Sequence, residues 1–123
     1  MPDRIILRYW MPVVIWMAAI FILSSIPGED FPELRIPNID KFVHFFEFFM
    51  LGLLLIRAFL NSHFNFSPTK LILLSASLAA LYALSDEWHQ YFISNRMPDS
   101  IDLLTDIIGS SVGIFIYRKY PAR

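Results

Sequence analysis

The chain contains no cysteine. That excludes a disulfide framework, a thiolate metal site and a cysteine nucleophile, and it leaves the redox compartment unread. Charge is also scarce: Asp, Glu, Lys and Arg make up 17% of the 123 residues and the formal net charge is −1, against about 25% charged residues in ordinary globular chains. Nucleic-acid binding normally requires a clustered excess of Lys and Arg on one face, so that function class is set aside. Any chemistry must run on carboxylates, imidazoles, hydroxyls or arginine. What the chain has in excess is apolar surface, with 56% hydrophobic residues where soluble chains carry roughly 45–50%. The composition points to a membrane.

Four apolar stretches approach the roughly 20 residues that cross a ~30 Å hydrocarbon core at ~1.5 Å per residue. They run from about 9 to 26, 41 to 60, 71 to 92 and 101 to 117, and all read as helices. The predicted fold is therefore an all-α bundle of four transmembrane helices in a single domain, 1–123, with no repeat or low-complexity tract. Pro12 falls near the start of the first stretch, where a missing N–H matters least, and Pro27-Gly28 ends it. A cleaved signal peptide is the other reading of that stretch, since Arg4 and Arg8 precede it, but no A-x-A arrangement follows. Buried helices of a soluble bundle are the other reading of the rest. A chain of this length has too little interior for four such helices.

Lys and Arg in short loops stay on the cytoplasmic side. Arg4, Arg8, Arg57, Lys70, Arg118, Lys119 and Arg123 share one side, against Arg35, Lys41 and Arg96 on the other. Both termini are thus expected in the cytoplasm. The acids sort oppositely: apart from Asp3, all of them (Glu29, Asp30, Glu33, Asp40, Glu47, Asp86, Glu87, Asp99, Asp102 and Asp106) fall in an outer loop or the outer half of a helix.

Helical spacing decides which of these charges meet, because residues three and four apart share a face. Asp40, His44 and Glu47 do so on the second helix, Asp86 and Gln90 on the third, and Asp102, Asp106, Gly109 and Gly113 on the fourth. Gly109-x-x-x-Gly113 makes a groove that a neighbouring helix can approach closely, which turns the two aspartates toward the bundle interior. Counting from the midpoints places Glu47, Asp86 and Asp106 at one level, roughly 5–6 Å outward, with His44, Gln90 and Asp102 nearer the surface and Arg96 reaching down from the outer loop. Ionisable groups at such depth cost about 2.5–3.5 kcal/mol each and by default face inward with a function. The plainer reading is that they only hold four helices in register, but polar contacts between membrane helices average only ~0.6 kcal/mol. Taken singly, His44 reads as a structural hydrogen-bonding residue, His63 and His89 as loop or interfacial residues, and Ser24 and Ser25 as caps of the first helix or, as the second reading, as hydroxyls contributed to the same pocket.

Three stretches carry a resemblance: DKFVHFFEFFMLG at 40–52, SDEWHQYFISNR at 85–96 and SIDLLTDIIGSSVG at 100–113, with SSIP at 24–27. In order and spacing they resemble the VanZ-like family of small bacterial integral membrane proteins. Carried across position by position, the family pattern falls on Asp40, Lys41, His44, Glu47, Asp86, Glu87, Gln90, Arg96, Asp102, Asp106 and Gly109. Ser94-Asn95 stands where a Pro-Gly turn is expected before the Arg, and Asp106 where Asn is common; the second departure adds a negative charge and favours a cation or proton in the pocket. The family's name-giving member is associated with low-level resistance to the glycopeptide teicoplanin, so the resemblance implies a multi-pass protein of the bacterial cytoplasmic membrane with a role in the cell envelope.

The expected function is an outward-facing polar pocket that binds a lipid or envelope head group, with membrane lipids and a lipid-linked or glycopeptide ligand as partners. The alternative is a membrane-embedded, metal-dependent hydrolase or transferase on a lipid-linked substrate. His44, Glu47, Asp86, Asp102 and Asp106 would supply N/O ligands for a divalent cation, and Arg96 would clamp a phosphate. No signature such as H-E-x-x-H is present, so whether the chain is an enzyme stays open. Cation or proton translocation is a third reading, weakened by an inner half without a polar relay. Short helices and the G-x-x-x-G leave a dimer open.

Overall fold

A computed structural model describes residues 2–30 and 36–121. The expected contributions of Glu33, Arg35 and Arg123 to charge sidedness lie outside the described residues. Four helices are long and apolar enough to cross a membrane: α1, Pro2–Ser24; α2, Ile39–Asn61; α3, Pro68–Gln90; and α4, Ser100–Lys119. A short 3-10 turn, Gly28–Asp30, follows α1. No strand occurs among the described residues. The architecture is the all-α, four-span bundle that the four apolar stretches predict.

The first helix starts earlier than its apolar run. Helix extends back to Pro2, so Pro12 lies inside it, and the backbone widens into a π turn at Ile6–Trp10. The cause is local: proline lacks the N–H that would bond the carbonyl four residues back, and its ring crowds that carbonyl. The carbonyl in question belongs to Arg8. It accepts instead from Arg57 Nη1 of α2 at 3.3 Å.

Caps fix the starts of α3 and α4. Ser67 Oγ accepts from the Lys70 amide with Pro68 at the first helical position of α3, and Asp99 accepts from the Ile101 amide at 2.9 Å at the head of α4, each supplying an acceptor to an otherwise orphaned N–H. Asn38 precedes α2 in the left-handed region, with φ 58° and no side-chain cap bond.

The bundle is built around the α2–α4 pair, its most extensive helix contact. Small residues make that possible. A Cβ at Gly52 would run into the main chain of Ser110, one at Gly109 into the carbonyl of Phe45, and one at Gly113 into the carbonyl of Phe49. The Gly109-x-x-x-Gly113 groove is therefore filled by α2 of the same chain, and Gly52 gives α2 a matching notch. Phe48, Leu51 and Leu55 of α2 are fully buried with Val13 and Ile20 of α1 and Ala79 and Ala83 of α3; a second cluster joins Ile56, Leu71, Ile114 and Tyr117. Large apolar side chains such as Val14, Ile22, Phe42, Leu81, Leu104 and Phe115 point outward, as helices surrounded by hydrocarbon require.

Opposite ends of the bundle are held differently. At one end Trp10 Nε1 donates to Ser62 Oγ at 2.8 Å, joining α1 to the α2–α3 connection. At the other end the α1–α2 and α3–α4 connections meet: the Gly28 amide donates to the Ser94 carbonyl at 2.9 Å, and Asn95 Nδ2 donates to Glu29 at 2.8 Å. Asn95 sits at φ 53°. Asparagine tolerates that conformation, so Ser94-Asn95 makes the turn for which a Pro-Gly pair was expected.

Candidate functional site

The end of the bundle that brings these two connections together also holds the ionisable side chains. His44 and Glu47 of α2, Asp86, Glu87 and Gln90 of α3, and Asp102 and Asp106 of α4 are all buried, Asp106 completely. Each helix delivers its pair by i, i+3 or i, i+4 spacing, and the close approach at Gly109 brings α4 near enough for Asp106 to reach α2.

His44 is the hub. Its Nδ1 lies 2.9 Å from Asp106 Oδ1 and its Nε2 lies 3.7 Å from Asp102 Oδ2, so one imidazole spans the two aspartates of α4. Asp86 is held from a third helix: Ser24 Oγ of α1 donates to its Oδ1, and Gln90 Nε2 lies 3.5 Å from its Oδ2 and 3.4 Å from Ser24 Oγ. One ligand atom each from His44, Asp86 and Asp106 fall within 4.8 Å of one another. Among the described residues, two buried side-chain oxygens have no hydrogen-bond partner, Asp106 Oδ2 and Glu87 Oε1.

Toward the bundle end the cluster is closed by ion pairs. Lys41 Nζ meets Asp40 at 3.1 Å, Asp99 at 2.9 Å, and Asp102. Glu87 Oε2 accepts the Asp99 amide at 3.0 Å, which ties α3 to the start of α4. The Lys41 ammonium and the Ile101 amide hold the Asp99 carboxyl below its ordinary value. Arg96 Nε donates to the Ile26 carbonyl and Arg96 Nη2 to the Leu23 carbonyl, each at 3.2 Å. It thereby adds side-chain donors where α1 ends, at the Ile26 carbonyl just past the helix and at the Leu23 carbonyl, which also accepts the Ile26 amide at 3.3 Å. Burial lowers the Arg96 value, and the charges of Asp86, Glu47 and Asp102 act against that shift.

Most residues singled out by spacing are thus drawn into one cluster, with two exceptions in placement. Asp40 stays at the rim, its side chain 61% exposed and paired only with Lys41. Of the five residues expected as metal ligands, His44, Asp86 and Asp106 converge, while Glu47 and Asp102 stand beside them. Spacing also undervalued three residues. For Ser24 the pocket hydroxyl, second to capping in the sequence reading, is the role found: it is a buried donor to Asp86. Its signal was present in the sequence, because Val13, Ile20 and Ser24 lie on one stripe of α1. Asp99 joins the Lys41 cluster, and His89, stacked on Phe21 at 4.5 Å with Ser25 Oγ at 2.9 Å, ties α3 to α1.

Beside the cluster, α1 and α2 part to leave a groove of about 400 Å³ lined by Trp16, Ala19, Ile20, Leu23, Phe42, Val43, Phe46 and Glu47. Trp16 Nε1 donates to the Glu47 carbonyl at 2.8 Å and fixes its floor. Glu47 is the one ionisable residue in that lining, three residues from His44 on the same face.

Fold and site together define a class: a multi-pass membrane protein whose four helices enclose a carboxylate–imidazole cluster at one end. Residues 9–120 match the family model described as VanZ/LLP1. The chain belongs to the VanZ/LLP1 family. No curated protein and no solved structure gives a significant match.

Proposed function

We propose that this chain is a cell-envelope protein of the bacterial cytoplasmic membrane, with both termini cytoplasmic, whose outward-facing cluster receives the polar head group of a lipid or lipid-linked envelope molecule. The observation behind this reading is the groove between α1 and α2. It lies within spans that cross the bilayer, its lining is apolar except for Glu47, and it borders the His44–Asp106–Asp86 cluster. At that depth the available occupant is a hydrocarbon chain, and its volume falls within the ~300–1,000 Å³ of small-molecule sites. A hydrocarbon chain lying along Phe42, Val43 and Phe46 would pass directly beside Glu47 and the cluster it borders. In this reading a contribution to lowered teicoplanin sensitivity follows from occupation or alteration of such an envelope lipid.

The test is lipid retention by the full chain extracted in mild detergent and examined by native mass spectrometry. Wild type should carry a lipid, while Ala19→Trp, which fills the groove, and Glu47→Gln should lose it. Expression in a susceptible host should shift glycopeptide sensitivity, and the same variants should abolish the shift. Bare wild-type protein together with unchanged sensitivity would refute the proposal.

A second reading, a metal-dependent hydrolase or transferase on a lipid-linked substrate, draws support from the convergence of His44, Asp86 and Asp106. Under it, a carboxylate acts as general base and Arg96 engages a phosphate. Turnover of a lipid-linked phosphate that survives exhaustive chelation would count against it.

A further inference from the structure

The charge around His44 is unbalanced. Glu47, Asp86, Glu87, Asp102 and Asp106 are all buried at this end of the bundle, and the groups near them able to oppose that charge are Lys41, Arg96 and the imidazoles of His44 and His89. Lys41 is shared with Asp40 and Asp99 as well as Asp102, and Asp106 Oδ2 has no partner although its residue is fully buried. A carboxylate removed from water without compensation costs several kcal/mol. Such a site either takes up protons or holds a cation.

We infer that His44, Asp86 and Asp106 hold one divalent first-row metal ion, of the Mn²⁺ or Zn²⁺ type. Their ligand atoms lie within 4.8 Å of one another. Ligands at about 2.0–2.2 Å from a common ion lie no more than about 4.4 Å apart, so closing on an ion requires movements of a few tenths of an ångström. The partnerless Asp106 Oδ2 is the lone pair such an ion would use. Mixed imidazole and carboxylate donors suit Mn²⁺ or Zn²⁺ better than a hard all-oxygen ion.

The surroundings also fit. A metal-bound histidine characteristically has its second nitrogen facing a carboxylate, and ligating carboxylates are themselves hydrogen-bonded. His44 has both Asp102 and Asp106 within reach of its two nitrogens, and Asp86 receives Ser24 Oγ and Gln90 Nε2. The three ligands come from three helices, so the ion would cross-link α2, α3 and α4. This inference deepens the second reading above and rests on the same cluster; it is tested by ion occupancy, whereas the head-group reading is tested by lipid retention, so either can fail alone.

The experiment uses the full chain in detergent micelles, stripped with chelator, then titrated with Mn²⁺ alone and followed by electron paramagnetic resonance and by elemental analysis after gel filtration. One Mn²⁺ per chain should be retained and displaced by Zn²⁺, with His44→Ala and Asp86→Asn abolishing retention. Asp102→Asn, acting through His44, should weaken Mn²⁺ affinity about 10–100-fold while one Mn²⁺ per chain is still bound at saturating concentration. Should Asp106→Asn fail to fold, Asp86→Asn still decides, because Asp86 lies outside the tight α2–α4 seam. Absence of retained Mn²⁺ and Zn²⁺ at millimolar concentration in folded wild type would overturn the inference, as would equal retention by Asp86→Asn.

Discussion

Replacing Gly109 by alanine sets two effects of opposite sign against each other. Alanine is favoured over glycine in a helix interior by about 0.8–1.0 kcal/mol, so an α4 free of neighbours would be stabilised. In the bundle, however, the new Cβ would stand 2.5 Å from the Phe45 carbonyl oxygen and 3.2 Å from the Phe45 Cα. Carbon–oxygen contacts of this kind settle at about 3.3–3.6 Å. Both contact atoms are main chain, so the helices themselves must part by about 1 Å. Phe45 adjoins His44, and Gly109 follows Asp106 by three residues, so the same displacement acts on the His44 Nδ1–Asp106 Oδ1 contact. That contact is 2.9 Å long and would open to nearly 4 Å, beyond hydrogen-bonding range. Overpacking costs about 1–3 kcal/mol and loss of a hydrogen bond to a charged group about 1.5–3 kcal/mol, which together outweigh the propensity gain. Gly109→Ala should therefore destabilise the protein by about 2 kcal/mol or more. Reversible unfolding in mixed micelles measures this, with Ser111→Ala on the outer face of α4 as control. A double-mutant cycle with Asp106→Asn should show coupling of about 0.5–3 kcal/mol, because the displacement already removes the bond that Asn would weaken. A Gly109→Ala protein as stable as wild type would refute the close α2–α4 contact.

Ser24→Ala removes the hydroxyl that donates to Asp86 and should cost about 1–2 kcal/mol in the same assay; an unchanged midpoint would mean that Asp86 finds another donor. For Asp99 the sign follows from its lowered folded-state value, set first by Lys41: its stabilisation is complete above the ordinary aspartate value of about 3.9 and is lost as pH falls through the folded value. Wild type should consequently lose more stability on acidification below pH ~4 than Asp99→Asn does, and parallel acid curves would refute the ion pair. Because the chain lacks cysteine, Met97→Cys and His63→Cys give clean single-site labelling from opposite ends of the bundle. An impermeant thiol reagent should reach position 97 but not 63 in intact cells, and the reverse pattern would overturn the outward orientation of the cluster.

The four spans were legible because length and apolarity are properties of contiguous sequence, and a bilayer converts them directly into helices. The facing of His44, Glu47, Asp86, Asp102 and Asp106 was legible for a similar reason, since helical phase is fixed within each segment. What the sequence concealed lies between segments. Gly109 and Gly113 announced a close neighbour without saying whether it belonged to this chain, and the answer depended on Phe45 and Phe49 of α2 meeting them, with Gly52 giving α2 a notch for Ser110 of α4. Ser24 read first as a cap because serine at a helix end usually is one; its stripe with Val13 and Ile20 turns it inward, but only the approach of α3 makes it the donor for Asp86. Arg96 shows the same limit. Its place before α4 could be read, but not that its guanidinium would finish the last turn of α1 by binding the Leu23 and Ile26 carbonyls.

That use of Arg96 bears on how the cluster is held. Connections in a small bundle are expected to be its softest parts, yet here one connection closes α1, places Ser94 and Asn95 against Gly28 and Glu29, and leads into Asp99, which engages both Lys41 and Glu87. The polar contacts at this end therefore run through every helix, whereas the opposite end is joined mainly by aromatic packing and the Trp10–Ser62 bond. Helices surrounded by lipid gain little from burying apolar surface against one another. Clustered carboxylates would drive this end apart unless fixed donors opposed them, and Lys41, His44, Ser24 and Gln90 are placed to do so. Eight buried polar side chains, drawn from four helices and set beside an apolar groove, form more apparatus than registering four helices requires.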